Sequence, residues 1–158
     1  MTKTKSPKAA TKDHSSAIPA EAALAFTQGR KRDALRMLMD FPGVAQRPKT
    51  ERESAAWGIL AAVLLDSAAY DDAEEAAAEA LRLSPQDGRI RILHSRILAS
   101  GNRLSDALLA AGEAVRLVPT DFDAALQLIM VHFEGGTGDK ALEEAHAFVS
   151  RCGNSPDS

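Results

Sequence analysis

The sequence predicts an all-α fold built as a stack of helical hairpins, and three observations predict it. Alanine is abundant while aromatic residues make up only 4% of the 158 residues, so the core must rest on Leu, Ile, Val and Ala, and alanine is the strongest helix former. From Ile18 onward apolar residues recur at helical spacing, and no segment alternates as a half-buried strand does. The third observation is self-similarity at one period of 34 residues: Ala73, Ala107 and Ala141; Ala77, Ala111 and Ala145; Ala80 and Ala114, followed by Phe148; and Pro85 with Pro119. DDAEEAAAEALRLSP, SDALLAAGEAVRLVP and DKALEEAHAFVSRCG thus read as one second helix written three times, each preceded by an apolar first helix. At 45% hydrophobic and 26% charged, the chain suits one compact domain.

Residues 1–17 carry Lys3, Lys5, Lys8 and Lys12 against Asp13, a charge of +3 that leaves −6 for the rest of a chain whose net charge is −3. They hold no apolar stretch to bury and are expected to stay disordered. For the same reason they do not read as an export signal, which makes a cytoplasmic location the default. The folded part is expected over 18–151, with a flexible tail at 152–158. Its first helix, 18–29, follows a capping residue, Ser16, has Pro19 near its start, and repeats Ala22, Ala25 and Phe26 up to Gln28-Gly29. The second, 33–41, carries Ala34, Leu35, Leu38 and Met39 and is stopped by Phe41-Pro42-Gly43. Val44 to Glu53, with Pro48 and mixed charges, reads as a linker. Helices then follow over 54–67, 71–83, 88–100, 105–117, 122–134 and 139–151. The longest uncharged apolar run, Ala55 to Leu65, is far short of the ~20 residues that span a bilayer, so no transmembrane helix is expected.

The repeat resembles the tetratricopeptide repeat (TPR) family. Trp57, Leu60, Ala61 and Leu64 stand where that family places W-x2-L-G-x2-Y, with Tyr70, Ala73, Ala77, Ala80 and Pro85 following in register. The next copy keeps Leu98, Ala107, Ala111, Ala114 and Pro119 but has Arg91 and His94 at positions usually large and apolar. The last keeps Leu128, Ala141, Ala145 and Phe148, with Gly153 in place of the closing proline. A weaker copy with Ala22, Ala34, Leu38 and Phe41 precedes them, separated by about five extra residues. The resemblance implies a right-handed solenoid of three to four hairpins in which Ala61, Ala73 and Ala80 permit close helix approach beside Trp57.

For function, the resemblance implies a non-catalytic adaptor or scaffold that needs no cofactor and binds a protein or peptide in a groove lined by the first helix of each repeat. The inner faces are then expected to present Ala23 and Phe26; Gly58, Ala62 and Leu65; Arg89, Ile92 and Arg96; and Leu126, Met130 and Phe133. This mostly apolar face suits an apolar segment or helix, with Arg89 and Arg96 orienting an acidic group. Gly58 and Ala62 do not supply the cationic clamp with which some members grip an acidic C-terminus. An alternative is a small secretion chaperone, since type III translocator chaperones are similar in length and repeat number.

Catalytic signals are weak. Glu143 and His146 form a single i, i+3 pair, whereas carboxylate-bridged iron sites need two such pairs and further glutamates. Cys152 and His146 lie about 240° apart around a helix and do not form a dyad. Gly135 to Lys140 lacks the Lys-Ser/Thr and preceding strand of a phosphate loop, and reads as a turn. Nucleic acid is not a specific partner, because the chain lacks a basic field and the Arg30, Lys31, Arg32 and Arg36 cluster falls at a turn without interleaved aromatics. His94, between Ile90 and Leu98, is expected to be buried, neutral and satisfied by a backbone carbonyl. The single cysteine excludes an internal disulfide, and homo-oligomerisation is left open.

Overall fold

A computed structural model describes residues 14–153, with side chains from Ala17 onward. Among these residues nine helices and no strand follow one another: α1 (His14–Thr27), α2 (Lys31–Met39), α3 (Pro42–Ala45), α4 (Lys49–Asp66), α5 (Tyr70–Leu83), α6 (Gly88–Ser100), α7 (Leu104–Leu117), α8 (Phe122–Glu134) and α9 (Gly138–Gly153). The pairs α1/α2, α4/α5, α6/α7 and α8/α9 form hairpins, and each hairpin packs on the next. The result is an all-α solenoid of four hairpins, with α3 as a single turn between the first two.

One turn design closes all four hairpins. Gly29, Ala68, Asn102 and Gly136 each have positive φ, between 57° and 81°. The residue after each donates its N–H five residues back, Arg30 to Ala25, Ala69 to Leu64, Arg103 to Leu98 and Thr137 to His132, which satisfies carbonyls that a helix end leaves open. The left-handed residues are spaced by 39, 34 and 34, so the insertion between the first two hairpins is five residues. The starts of the later first helices repeat as well. Asp87 accepts from the N–H groups of Arg89 and Ile90, and Asp121, 34 residues on, accepts from Ala124. Gly88 is small because a Cβ there would stand 2.8 Å from the Val118 side chain.

Two boundaries differ from the sequence expectation. α1 begins at His14, four residues early, and places Pro19 inside the helix, where it forgoes one backbone bond. The linker largely vanishes: Pro42 starts α3, and the Pro48 carbonyl accepts from Glu51 and Arg52 to open α4 at Lys49. Proline here begins helices rather than breaking a segment, because its missing N–H has no partner in a first turn. Of the tails expected to be disordered or flexible, 1–17 and 152–158, residues 14–17 belong to α1 and Cys152 and Gly153 complete α9, while residues 1–13 and 154–158 lie outside the described residues.

Small residues set the packing. Ala73 and Ala107 are fully buried and Ala141 nearly so, at the shared repeat position where the helices of a hairpin meet. A continuous apolar cluster runs from α1 to α5 and takes in Ile97 of α6, with Phe26 set edge-on to Trp57 at 5.9 Å between ring centroids. Beyond it the core divides into smaller clusters around Leu98 and Val131, around Ile90 and Leu81, and around Ile92 and Ala124. Ion pairs also bridge hairpins: Arg103, which holds Asp106 of its own hairpin at 2.7 Å, reaches Glu74 at 2.6 Å, and Lys31 binds Glu75.

Candidate peptide-binding groove

The first helices α4, α6 and α8 stand side by side, and two clefts open between them on one face. The first, of about 260 Å³, lies between α4 and α6. Ala55, Gly58, Ile59 and Ala62 form one wall; Arg89, Ile90 and Leu93 form the other; Arg47 and Asp87 stand together at the end where α4 and α6 begin. The second, of about 320 Å³, lies between α6 and α8 and is lined by Arg96, Ala99 and Ser100 against Asp123, Leu126, Met130 and Glu134, with Gln127 at its base. α6 is therefore the shared wall. Arg89 and Arg96, seven residues apart on it, each serve one cleft, and neither has a carboxylate within ion-pair distance among the described residues.

Of the residues expected on this face, Ala62, Arg89, Arg96, Leu126 and Met130 line the clefts, as does Gly58. The others do not. Phe26 is 2% exposed beneath Trp57, with the Lys31 ammonium 5.3 Å from its ring centroid, and Ala23 is buried beside it. Ile92 is buried against Ala114 and Ala124, because α8 covers it. Leu65 packs half-buried on the N-terminal cluster. Phe133 is 75% exposed but lines neither cleft. Around a helix the direction toward the next hairpin is adjacent to the direction toward the clefts, and Phe26 and Ile92 take the former, under α4 and α8. The charged members Arg47, Asp87, Asp123 and Glu134 were not anticipated. The Asp-x-x-Ala cap at Asp121 and the Asp121-x-Asp123 pair were the available signals.

On the opposite side, between α5 and α7, α6 presents His94 and Arg91 to Glu74, Arg103, Asp106 and Glu113. His94 is half-buried, and its Nδ1 has no partner among the described residues, so the expected carbonyl bond is absent. Burial depresses its pKa; Arg91 and Arg103 act the same way, while Glu74 and Asp106 oppose them. Thr137, in the glycine-rich turn, donates to the His132 carbonyl and pairs with the His132 ring, so the segment from Gly135 to Lys140 is a hairpin turn and helix start. Among the described residues no group of three His, Cys, Asp or Glu side chains is placed to hold a metal ion, and no helix is long and apolar enough to cross a membrane.

Solved structures with the same arrangement exist. MamA superposes with a TM-score of 0.61 over 89% of this chain and 80% of its own, at 16% identity. TTC0263, described as a thermophilic TPR protein in Thermus thermophilus, superposes with a TM-score of 0.58 over 86% of this chain and 73% of its own, at 18% identity. The fold is TPR-like. At these identities the likeness is one of TPR-like architecture alone. No family model matches the sequence, and no curated protein matches it.

Proposed function

We propose that this chain is a non-catalytic interaction module of the TPR type that holds an extended segment of a partner protein across the two clefts. The supporting observation is α6: one helix offers Arg89 to the first cleft and Arg96 to the second, each beside apolar side chains of a neighbouring first helix. Apolar side chains of the ligand would settle against Ile59, Ala62 and Leu93 and against Leu126 and Met130, and burial there would supply the affinity. The arginines would orient acidic groups on the ligand, adding specificity more than strength. Asp123 and Glu134 narrow the choice further, since an acidic side chain directed at α8 would meet like charge.

The partner recovered by affinity capture and mass spectrometry provides the test. Met130→Ala is expected to weaken its binding by about 1–2 kcal/mol, and Arg96→Ala to weaken it more at low salt than at high salt. Unchanged affinity in a folded Met130→Ala, Arg96→Ala double variant would move the binding surface elsewhere. A single client that is insoluble without this chain would favour the secretion-chaperone reading over an adaptor.

A further inference from the structure

The last hairpin leaves uncovered the surface that the third hairpin offers to α8. Ile92 and Gly88 on α6 are buried, and Ala99, Leu108 and Val115 on α6 and α7 half-buried, with α8 packed over this end of the third hairpin. Their counterparts one 34-residue period later are Leu126, Phe122, Phe133, Leu142 and Val149, which are 38%, 64%, 75%, 58% and 67% exposed. All five are large apolar side chains left exposed on the last hairpin, the residue type that fills the core of a stable interface.

The repeat also specifies what fits there. Each first helix enters the preceding hairpin through three positions: Ile90, Leu93 and Ile97 in α6, and Ala124, Gln127 and Val131 in α8. Ile97 and Val131 are 1% and 0% exposed. The hairpin turns place Ala17, Ala20 and Leu24 of α1 in the same register, and there all three are exposed, Leu24 at 57%. The charges match as well. Arg103 at its turn reaches back to Glu74 on the preceding second helix. Arg30 holds the equivalent turn position in the first hairpin, beside Arg32 and Arg36, while α9 offers Asp139 and Glu143, the latter adjacent to Leu142, the register partner of Glu74.

We infer that the α8–α9 end of the solenoid is an assembly surface that seats the α1–α2 end of a second copy of this chain. The contact is head to tail, so it does not close on itself as a two-fold dimer does and can be extended at both ends. It shares only Leu126 with the second cleft, and because Leu24, Phe133 and Leu142 line neither cleft, it stands or falls independently of the function proposed above.

Sedimentation velocity of the full chain, from micromolar to hundreds of micromolar, tests it with variants that block one end each. The parent is expected to grow in mass with concentration past the dimer. Leu24→Glu and Phe133→Glu, both at exposed positions and checked for folding by circular dichroism, are each expected to remain monomeric. Mixed in equal amounts, they are expected to give a species of twice the monomer mass that grows no further, since one open tail meets one open head. Leu142→Glu, as a second tail variant, must behave like Phe133→Glu. A parent that stays monomeric throughout overturns the inference. So does a Leu24→Glu chain that dimerises alone, which would show tail-to-tail pairing, or a mixture that remains monomeric.

Discussion

Phe26 and Phe133 occupy the same place in the first and last hairpins, three residues before the left-handed residue of the turn, yet one is 2% exposed and the other 75%. Both project toward where a following hairpin would lie. In the first case α4 arrives and sets Trp57 edge-on against the ring; in the last no following hairpin arrives among the described residues. Repeat position therefore fixes the direction of a side chain, while its environment is fixed by what is stacked in that direction. An identical residue at an identical register is core in one copy and surface in another.

Substitutions sharpen this contrast, and the largest effect is expected at the pair itself. Phe26→Ala should cost about 3–5 kcal/mol in urea denaturation, whereas Phe133→Ala should stay within about 0.5 kcal/mol. Equal costs would break the comparison. Ala111 and Ala145 repeat it on a smaller scale: Ala111→Leu, fully buried under the next hairpin, should overpack and cost about 1–3 kcal/mol, while Ala145→Leu on the half-buried end should be nearly neutral. The turns differ less. Ala68 holds φ 57° with a Cβ where the first and last hairpins have glycine, so Ala68→Gly should raise stability by about 0.5–1 kcal/mol.

The smallest effect concerns the third hairpin, which is covered on both sides. Because burial holds the His94 pKa below its ordinary 6.5, the unfolded chain binds the proton more readily, and stability should fall as pH drops below about 6.5. His94→Gln should lose less melting temperature than the parent between pH 7.5 and 5.5. An identical loss in both would assign the acid sensitivity to carboxylates.

Most of the fold was legible because its punctuation is local. The 34-residue period and the prolines and glycines that mark helix ends place α6 and α8 at the residues expected and the other repeat helices within a few. The region between Phe41 and Ser54 was less legible, since Pro42 and Pro48 signal either an interruption or a helix start, and only the packing of α3 and α4 on the first hairpin decides. For the candidate groove, Arg89 and Arg96 were readable from spacing along α6, and Leu126 and Met130 from spacing along α8. Phe26 and Ile92 were misplaced because a helical wheel gives a direction without saying whether another helix stands in it. The acidic lining from Asp123 and Glu134 was hidden for a related reason: a search for apolar stripes passes over the charges at their margins.

Ser95 donates its hydroxyl to the Ala107 carbonyl at 2.8 Å and faces the Gln127 side-chain amide at 3.2 Å, all of them buried. This polar joint sits where the third hairpin meets the fourth, beyond the continuous apolar cluster of α1 to α5. A chain whose units touch only their neighbours comes apart by unzipping, and the seam outside the continuous apolar cluster is the one expected to part first. Amide protons of α8 and α9 are thus set to exchange through openings that leave α4 and α5 closed. A segment lying from Arg89 to Met130 would cross that seam, and its occupancy would be recorded as slowed exchange in the last two helices.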